Sequence, residues 1–118
     1  MKLDGYNIAT AFGNTVRLKI SLEREEGFTE NDKVLLKIRK RDGEQLLSKI
    51  LDISDGAVFF MLDSVESKSI TFGEHRWDIT VYINAQVADG EIIAADEVIT
   101  PFINAKYNVA RQASREVD

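Results

Sequence analysis

Cysteine is absent from this chain of 118 residues, and histidine, tryptophan and proline each occur once. Without cysteine the protein has no disulfide, no thiolate nucleophile and no cysteine-ligated metal, a composition that suits synthesis in the cytosol. Long apolar runs are also missing, since none approaches the ~20 residues that a membrane-spanning helix needs. No charged segment followed by an apolar one opens the chain, so the sequence predicts no signal peptide.

An excess of positive charge is missing as well. The formal net charge is −5, whereas a protein whose main partner is nucleic acid needs clustered cations to bind phosphate. Apolar residues make up 44% and charged residues 30% of the chain, which is the composition of a folded domain. A chain of this length can bury one hydrophobic core. The sequence therefore predicts one domain whose main partners are neither nucleic acid nor membrane.

Glycine marks the predicted turns. All seven glycines fall between apolar runs, which divides the chain into segments about as long as a strand and its turn. Four of them belong to Asp-Gly pairs, which begin at Asp4, Asp42, Asp55 and Asp89. This dipeptide favours tight hairpin turns because both residues tolerate positive φ.

Three segments alternate apolar and polar residues, which predicts strands with one face in a core and one in water. They read TVRLKISLE from Thr15, KVLLKIRKR from Lys33 and RWDITVYIN from Arg76. A fourth, QLLSKILDI from Gln45, is less regular. Both a helical turn and a bulged strand fit it, and we favour the strand because Asp-Gly pairs bracket it. The segment AVFFMLD, from Ala57, is apolar on both faces and predicts a strand covered on both sides or lying at an interface.

One helical turn is expected near residues 63–68. Asp63 can cap it, with Glu66 reaching back to the cap, and the turn would carry the chain from one sheet to the other. Between residues 91 and 109 we expect two short strands. Pro101 should lie at a sheet edge or a strand start, because proline cannot donate to a ladder.

These elements predict an all-β fold. Short strands with tight turns point to a single-domain antiparallel β-sandwich of about eight strands, which would occupy residues 1–109. The last residues, 110–118, have no apolar period and are expected to form a flexible C-terminal tail.

The run GEHRWDI, residues 73–79, holds the single histidine and the single tryptophan. In a strand His75 and Trp77 share one side while Arg76 and Asp78 share the other, so His75 has neither a nucleophile nor an orienting acid beside it. We therefore predict that His75 lies partly buried at a strand start and that Trp77 packs in the core. No residue is predicted to be catalytic, to bind a cofactor or to hold a metal.

Charged stretches are expected to be solvated. The acidic residues on both sides of Gly27, EREE and ENDK, predict an exposed loop. Lys37, Arg39 and Arg41 form the one dense basic stretch. We interpret it as a polar face balanced by nearby acids, and a contact with phosphate is the alternative, although no aromatic residue interleaves to stack on bases.

Phe59 and Met61 are the best candidates for a binding surface. If the alternate residues of their strand enter the core, these two face outward, and Leu35 and Leu46 join them in some strand registers. An exposed apolar patch marks a protein contact, unless another part of the same chain covers it. Both alternatives stay open, and the four residues are the predicted protein interface.

The order of these features resembles a known family, the short prophage-encoded proteins of Gram-positive bacteria that are similar to the N-terminal domain of phage baseplate upper proteins. The segments that carry the resemblance lie within residues 13–103 and read GNTVRLKISL, NDKVLLKIRK, GAVFFMLDSVESKSITFGEHRWDITV and VITPFI. Gly73, Trp77, Asp78 and Ile79 match the pattern of that family, whereas His75 stands where a tyrosine is usual.

The resemblance implies an immunoglobulin-like β-sandwich that serves as a structural or adaptor piece of a phage tail or baseplate. It implies no enzymatic activity and no cofactor. Partners would be copies of the chain itself or other phage structural subunits, and the protein would be found in the virion or in the bacterial cytoplasm. The alternative hypothesis is a small-ligand or carbohydrate-binding module that uses Tyr6, Tyr82, Tyr107 or Trp77 as an exposed aromatic platform.

Overall fold

The computed structural model describes residues 1–111, apart from the side chains of Lys2, Asp4 and Ile103. This part of the chain forms ten strands and one short helix. In chain order the elements are β1 (Lys2–Asp4), β2 (Asn7–Ala11), β3 (Val16–Ser21), β4 (Lys33–Arg39), β5 (Gln45–Asp52), β6 (Ala57–Leu62), α1 (Ser64–Lys68), β7 (Gly73–Ile83), β8 (Gln86–Ala88), β9 (Glu91–Ala94) and β10 (Glu97–Ala110).

The strands form one large sheet and two pairs. The six-stranded sheet has the order β1-β2-β10-β7-β4-β5, while β3 pairs with β6 and β8 pairs with β9. The all-β prediction is confirmed, but the expected number of strands, about eight, is too low. The described strands pair antiparallel, as predicted, with one exception: β2 and β10 run parallel. Their pairing joins residues ~100 positions apart, and no local pattern encodes such a contact.

The six-stranded sheet and the β3–β6 pair share one core. Along β7 every second residue from His75 to Ile83 is buried, and the same alternation in β4 buries Val34, Leu36 and Ile38. The apolar side chains among them form a single cluster with buried residues of β3 and β6. The period of two therefore places one face of each main strand in the core, as the sequence predicted.

Trp77 lies at the centre of this core and is fully buried. Its ring meets Phe60 of β6 edge-on at 5.3 Å between centroids and Phe102 of β10 at 4.8 Å. The indole Nε1–H donates a 2.7 Å hydrogen bond to the backbone carbonyl of Tyr6, which satisfies the one polar group of the side chain. The prediction that Trp77 is a core residue is confirmed.

The helical turn forms where the sequence placed it. Asp63 accepts a 2.7 Å hydrogen bond from the backbone N–H of Glu66, and the Glu66 carboxylate accepts one from the Asp63 N–H at 3.2 Å. This capping box satisfies two backbone donors that the first turn leaves unpaired. The helix α1 then connects β6 of the pair with β7 of the six-stranded sheet.

Two Asp-Gly pairs behave as expected at hairpin turns. Both residues have positive φ in Asp55-Gly56 (51° and 73°) and in Asp89-Gly90 (52° and 77°), as a two-residue turn between twisted strands requires. The irregular segment from Gln45 is the strand β5 and contains a bulge. Leu46 is the extra residue there, because Ile38 pairs with Leu47 and the next residue of β4 pairs with Gln45.

The last strand differs from its prediction. β10 is a 14-residue strand, and Pro101 lies inside it, at a register shift between Ile99 and Phe102. Two features permit proline here. The register shift interrupts the pairing with β7 at this point. In addition, β2 pairs with β10 only from Tyr107 onward, so the missing proline N–H breaks no ladder hydrogen bond on the β2 side. β10 extends to Ala110, one residue past the predicted domain boundary, and residues 112–118 of the predicted tail lie outside the described residues.

Candidate functional site

The residues of GEHRWDI point to opposite faces of β7. His75 is 4% exposed, more deeply buried than predicted, and its Nε2–H donates to the backbone carbonyl of Thr71 at 2.7 Å. Its Nδ1 has no hydrogen-bond partner within the described chain. Asp78 lies on the other face and forms an ion pair with Arg39. The only histidine is thus not brought together with an acid and a hydroxyl.

The predicted apolar candidates of β6 are exposed. Phe59 is 54% and Met61 is 48% accessible, and the register places them directly opposite Lys19 and Arg17 of β3. Within the part of the chain that the structure describes, neither cation has a carboxylate within 4 Å. We call the surface formed by Arg17, Lys19, Phe59 and Met61 the β3–β6 outer face.

The other two predicted interface residues do not belong to this surface. Leu35 faces outward on β4, beside Thr80 of β7 and Ile50 of β5, so it lies on the opposite side of the molecule from Phe59. Leu46 packs against the core, because the bulge in β5 interrupts the alternation at that residue. The predicted group of four is therefore corrected to Phe59 and Met61, since β4 and β6 belong to different sheets.

The outer face of the six-stranded sheet is rich in charge. Register places Lys106 of β10 opposite Arg76 of β7, and Arg76 opposite Arg39 of β4. We call these three residues the cation row. The Glu74 carboxylate lies 3.1 Å from Arg76, 3.6 Å from Lys106 and 3.9 Å from Arg41. The hydrogen bond from Arg76 lowers the pKa of Glu74, and the three positive charges add to that effect.

Nearby acids balance part of the basic stretch, as predicted. Arg39 forms an ion pair with Asp78, and Arg41 approaches Glu74. Lys37 lies on the same outer face of β4 and has no carboxylate within 4 Å among the described residues. The face consequently keeps an excess of positive charge.

A cleft of about 710 Å³ lies between this face and the β8–β9 hairpin. Its floor includes Leu35 and Tyr82, and its hairpin wall includes Val87 and Ile92. The remaining lining residues are Lys33, Lys37, Gln45, Ser48, Ile50, Asp52, Gly90 and Glu91. Lys33 pairs with Asp52 at 2.6 Å, and the lining contains two cations and two acids, so the cleft favours a neutral ligand over a charged one.

The four aromatic candidates for a ligand platform fall into two groups. Trp77 and Tyr107 are 0% and 1% exposed, so neither can stack on a ligand, and burial raises the pKa of the Tyr107 hydroxyl. Tyr6 is 51% exposed, but one face of its ring stacks on Phe102 at 4.1 Å between centroids. Tyr82 is half-buried and lines the cleft.

One acidic residue of the loop before β4 is not solvated. Asp32 is 2% exposed, and its carboxylate accepts hydrogen bonds from the backbone N–H of Thr29 at 2.7 Å and of Asn84 at 2.8 Å. The prediction of a fully solvated loop is wrong at this residue. The three-residue spacing from Thr29 is a weak local signal for such a bond, but the contact with Asn84 depends on the fold.

Comparisons with protein-family models, with curated protein sequences and with solved structures gave no match for this chain. Within residues 1–111, no group of three or more histidine, cysteine or acidic side chains is placed to hold a metal ion. The helix that the structure describes is too short to cross a membrane.

Proposed function

We propose that this chain is a non-enzymatic structural or adaptor protein that acts through protein–protein contacts, and that it is a component of a phage tail or baseplate. The observation that carries the proposal is the exposure of Phe59 (54%) and Met61 (48%) in the middle of a regular strand. The two side chains lie two residues apart on one face of the strand, and a contiguous apolar patch in water is typical of contact surfaces.

The free energy available from burying Phe59 and Met61 shows how much more binding surface a partner must supply. Complete burial of a phenylalanine or methionine side chain contributes about 1.5–3 kcal/mol, and about half of the surface of Phe59 and Met61 is still exposed. Their remaining contribution is roughly 1 kcal/mol each, whereas association costs about 4–15 kcal/mol in lost freedom. The partner surface must therefore extend beyond these two residues.

The cations beside them indicate the chemistry of that extension. Arg17 and Lys19 are exposed and lie opposite Met61 and Phe59 in the register. A partner with apolar side chains flanked by carboxylates would fill the patch and pair with both cations. Arginine beside an aromatic anchor is a common composition of binding hot spots.

The phage assignment rests on the sequence resemblance within residues 13–103. An immunoglobulin-like sandwich is the finer description that we propose for the all-β architecture, and two layers around one core are compatible with it. Under this proposal the partners are further copies of the chain or other phage structural subunits, and the protein resides in the virion or in the bacterial cytoplasm.

The decisive experiment measures assembly of the purified protein by size exclusion coupled to light scattering. We expect concentration-dependent association that the double variant Phe59→Asp/Met61→Asp weakens. Ile93→Asp is the matched control, because Ile93 is 64% exposed and lies on the β8–β9 hairpin instead. A wild type that is monomeric at every concentration, with a double variant that behaves identically, would refute self-association through this face and leave only a contact with another subunit.

The cleft beside Tyr82 supports a second candidate function, the binding of a neutral carbohydrate. The half-buried ring of Tyr82 lines the same cleft as Gln45 and Ser48, so the cleft offers a stacking surface together with hydrogen-bonding groups. Titration calorimetry with a panel of neutral glycans tests it, with Tyr82→Ala as the variant and Tyr6→Ala as the control outside the cleft. Binding that Tyr82→Ala removes would favour this function, and no binding by the wild type would eliminate it.

A further inference from the structure

The cation row is an unfavourable arrangement within a single molecule. Lys106, Arg76 and Arg39 lie opposite one another on three hydrogen-bonded strands, where opposite Cα atoms are about 4.5–5.5 Å apart. Like charges at such positions destabilise a sheet. With Arg41, these four cations contact two carboxylates, those of Glu74 and Asp78. The face keeps an unneutralised positive charge.

Negative charge is concentrated elsewhere, in the loop between β3 and β4. We call residues 23–30 the acidic loop; its exposed acids are Glu23, Glu25, Glu26 and Glu30. Arg24 is the one cation within it, and this guanidinium is shared by Glu97 at 3.0 Å and Glu26 at 3.7 Å. Glu25 and Glu30 have no cationic side chain within 4 Å in the described part of the chain.

The two charged regions are too far apart to neutralise each other. The loop is fastened at the end of β7, where Asp32 binds the N–H of Asn84 and the carbonyl of Asn31 binds the N–H of Ala85. Arg76 precedes Ile83, the last residue of β7, by a stretch of strand that spans roughly 23 Å at about 3.3 Å per residue. The Debye length is about 8 Å at physiological ionic strength, so the molecule presents two separate surfaces of opposite sign.

We infer that the cation row of one copy binds the acidic loop of a second copy, so that copies associate head to tail. Guanidinium groups bind carboxylates in a bidentate geometry, and the loop supplies several exposed carboxylates. Because the two contacting surfaces differ, the contact is heterologous and leaves a free row and a free loop at the ends of every assembly. Such contacts build rings or open chains rather than closed dimers.

A second copy suits the row better than nucleic acid does. The net charge of −5 opposes binding to a polyanion as a whole, and no aromatic side chain lies within the row to stack on bases. The acidic loop carries the required charge on four exposed carboxylates in a short segment of the same protein. Exposed ion pairs are individually weak and are screened by salt, so the expected association is weak and strongly dependent on ionic strength.

Reciprocal charge reversal tests this contact. The row variant is Arg41→Glu/Lys106→Glu, in which Lys106 belongs to the cation row and Arg41 lies beside it on the same Glu74 carboxylate. The loop variant is Glu25→Lys/Glu30→Lys, and all four side chains are exposed. By sedimentation velocity at about 10 mM ionic strength, where the Debye length is ~30 Å, the wild type should form species larger than dimers that dissociate at high salt. Each variant alone should lose at least tenfold in association constant, and an equimolar mixture of the two should recover it.

Several outcomes would overturn the inference. They are a wild type that stays monomeric at low salt, variants that associate like the wild type, and a mixture that fails to recover association although circular dichroism shows both variants folded. A wild type that binds a DNA oligonucleotide but not itself, with binding lost in the row variant, would make the row a polyanion site instead.

This inference extends the proposed contact function but uses a different surface, and the two fail separately. Association that persists in Phe59→Asp/Met61→Asp and disappears in the row variant would remove the β3–β6 outer face and leave the head-to-tail contact standing. Association that disappears in Phe59→Asp/Met61→Asp and persists in the row variant would do the reverse.

Discussion

The two faces of β7 differ in chemistry although they belong to one strand of eleven residues. The inward residues, His75 and Trp77 among them, are buried in the core, whereas Glu74, Arg76 and Asp78 form ion pairs on the outer face. Residues that are adjacent in the sequence are therefore separated by the thickness of the sheet. The inner face determines stability, and the outer face carries charged side chains, among them the partly exposed Glu74 and Arg76, that are available for contacts.

The largest expected effect on stability is a difference between two neighbouring residues, Trp77 and Arg76, on opposite faces of β7. Trp77→Ala should lower the free energy of unfolding by about 3–5 kcal/mol, because it leaves a large cavity between the sheets. Arg76→Ala should cost at most about 1 kcal/mol, since its ion pair with Glu74 is partly exposed. Urea unfolding followed by circular dichroism measures both values, and equal costs would show that the faces of β7 are assigned wrongly.

The buried carboxylate of Asp32 should contribute to stability as residues on the inner face of β7 do, although it lies in a loop. Asp32→Ala leaves the N–H groups of Thr29 and Asn84 without their acceptor, and we expect a loss of about 1–3 kcal/mol. Glu30→Ala, in the same loop but exposed, should change stability by less than about 0.5 kcal/mol. The same unfolding assay distinguishes the two, and a large effect of Glu30→Ala would contradict the assignment.

His75 tests whether burial alone makes an inner residue important. His75→Ala removes the hydrogen bond to Thr71 and a smaller volume than Trp77→Ala does, so the expected loss is about 1–2 kcal/mol. The ratio of the two losses is the informative quantity. A loss as large as that of Trp77→Ala would mean that the histidine, not the indole, organises this part of the core.

Replacing Tyr107 by phenylalanine should have the smallest effect on stability at neutral pH and a distinct effect on stability in alkali. Burial raises the pKa of its hydroxyl in the folded state, whereas in the unfolded chain it titrates near pH ~10. The contribution of the neutral Tyr107 hydroxyl to the free energy of unfolding is therefore fully present below pH ~10. It declines above that pH, because only the unfolded state can release the proton.

The variant Tyr107→Phe should unfold at a higher pH than the wild type, and Tyr6→Phe should match the wild type. Intrinsic fluorescence measured against pH provides the readout, and coincident curves for Tyr107→Phe and the wild type would argue against this origin of alkaline unfolding.

Local features of the fold were predictable because their causes are local. The capping box of α1 requires only Asp63 and Glu66 three residues apart, and the turn at Asp55-Gly56 requires only positive φ at both residues. Long-range features were not predictable in this way. The register shifts that let Pro101 stay within β10 arise from pairing with β7, which no periodicity in residues 91–103 reveals.

The candidate surfaces show the same division. Alternation within one strand was sufficient to predict that Phe59 and Met61 face outward, but it did not reveal that Arg17 and Lys19 lie beside them. Leu35 and Leu46 were wrongly grouped with that pair, since membership of a surface depends on which sheet a strand joins. The cation row combines Lys106, Arg76 and Arg39 from distant segments and exists only through the register of three strands.

By itself, the sequence determined which side of each main strand is apolar, where the tight turns lie and where α1 begins. These properties depend on side chains within a few residues of one another, and the chain carries them before it folds. The tertiary structure alone decided which strands pair, which outward residues become neighbours and where positive and negative charge accumulate. Those outcomes depend on contacts between segments far apart in the chain, which form only when the two layers close over a common core.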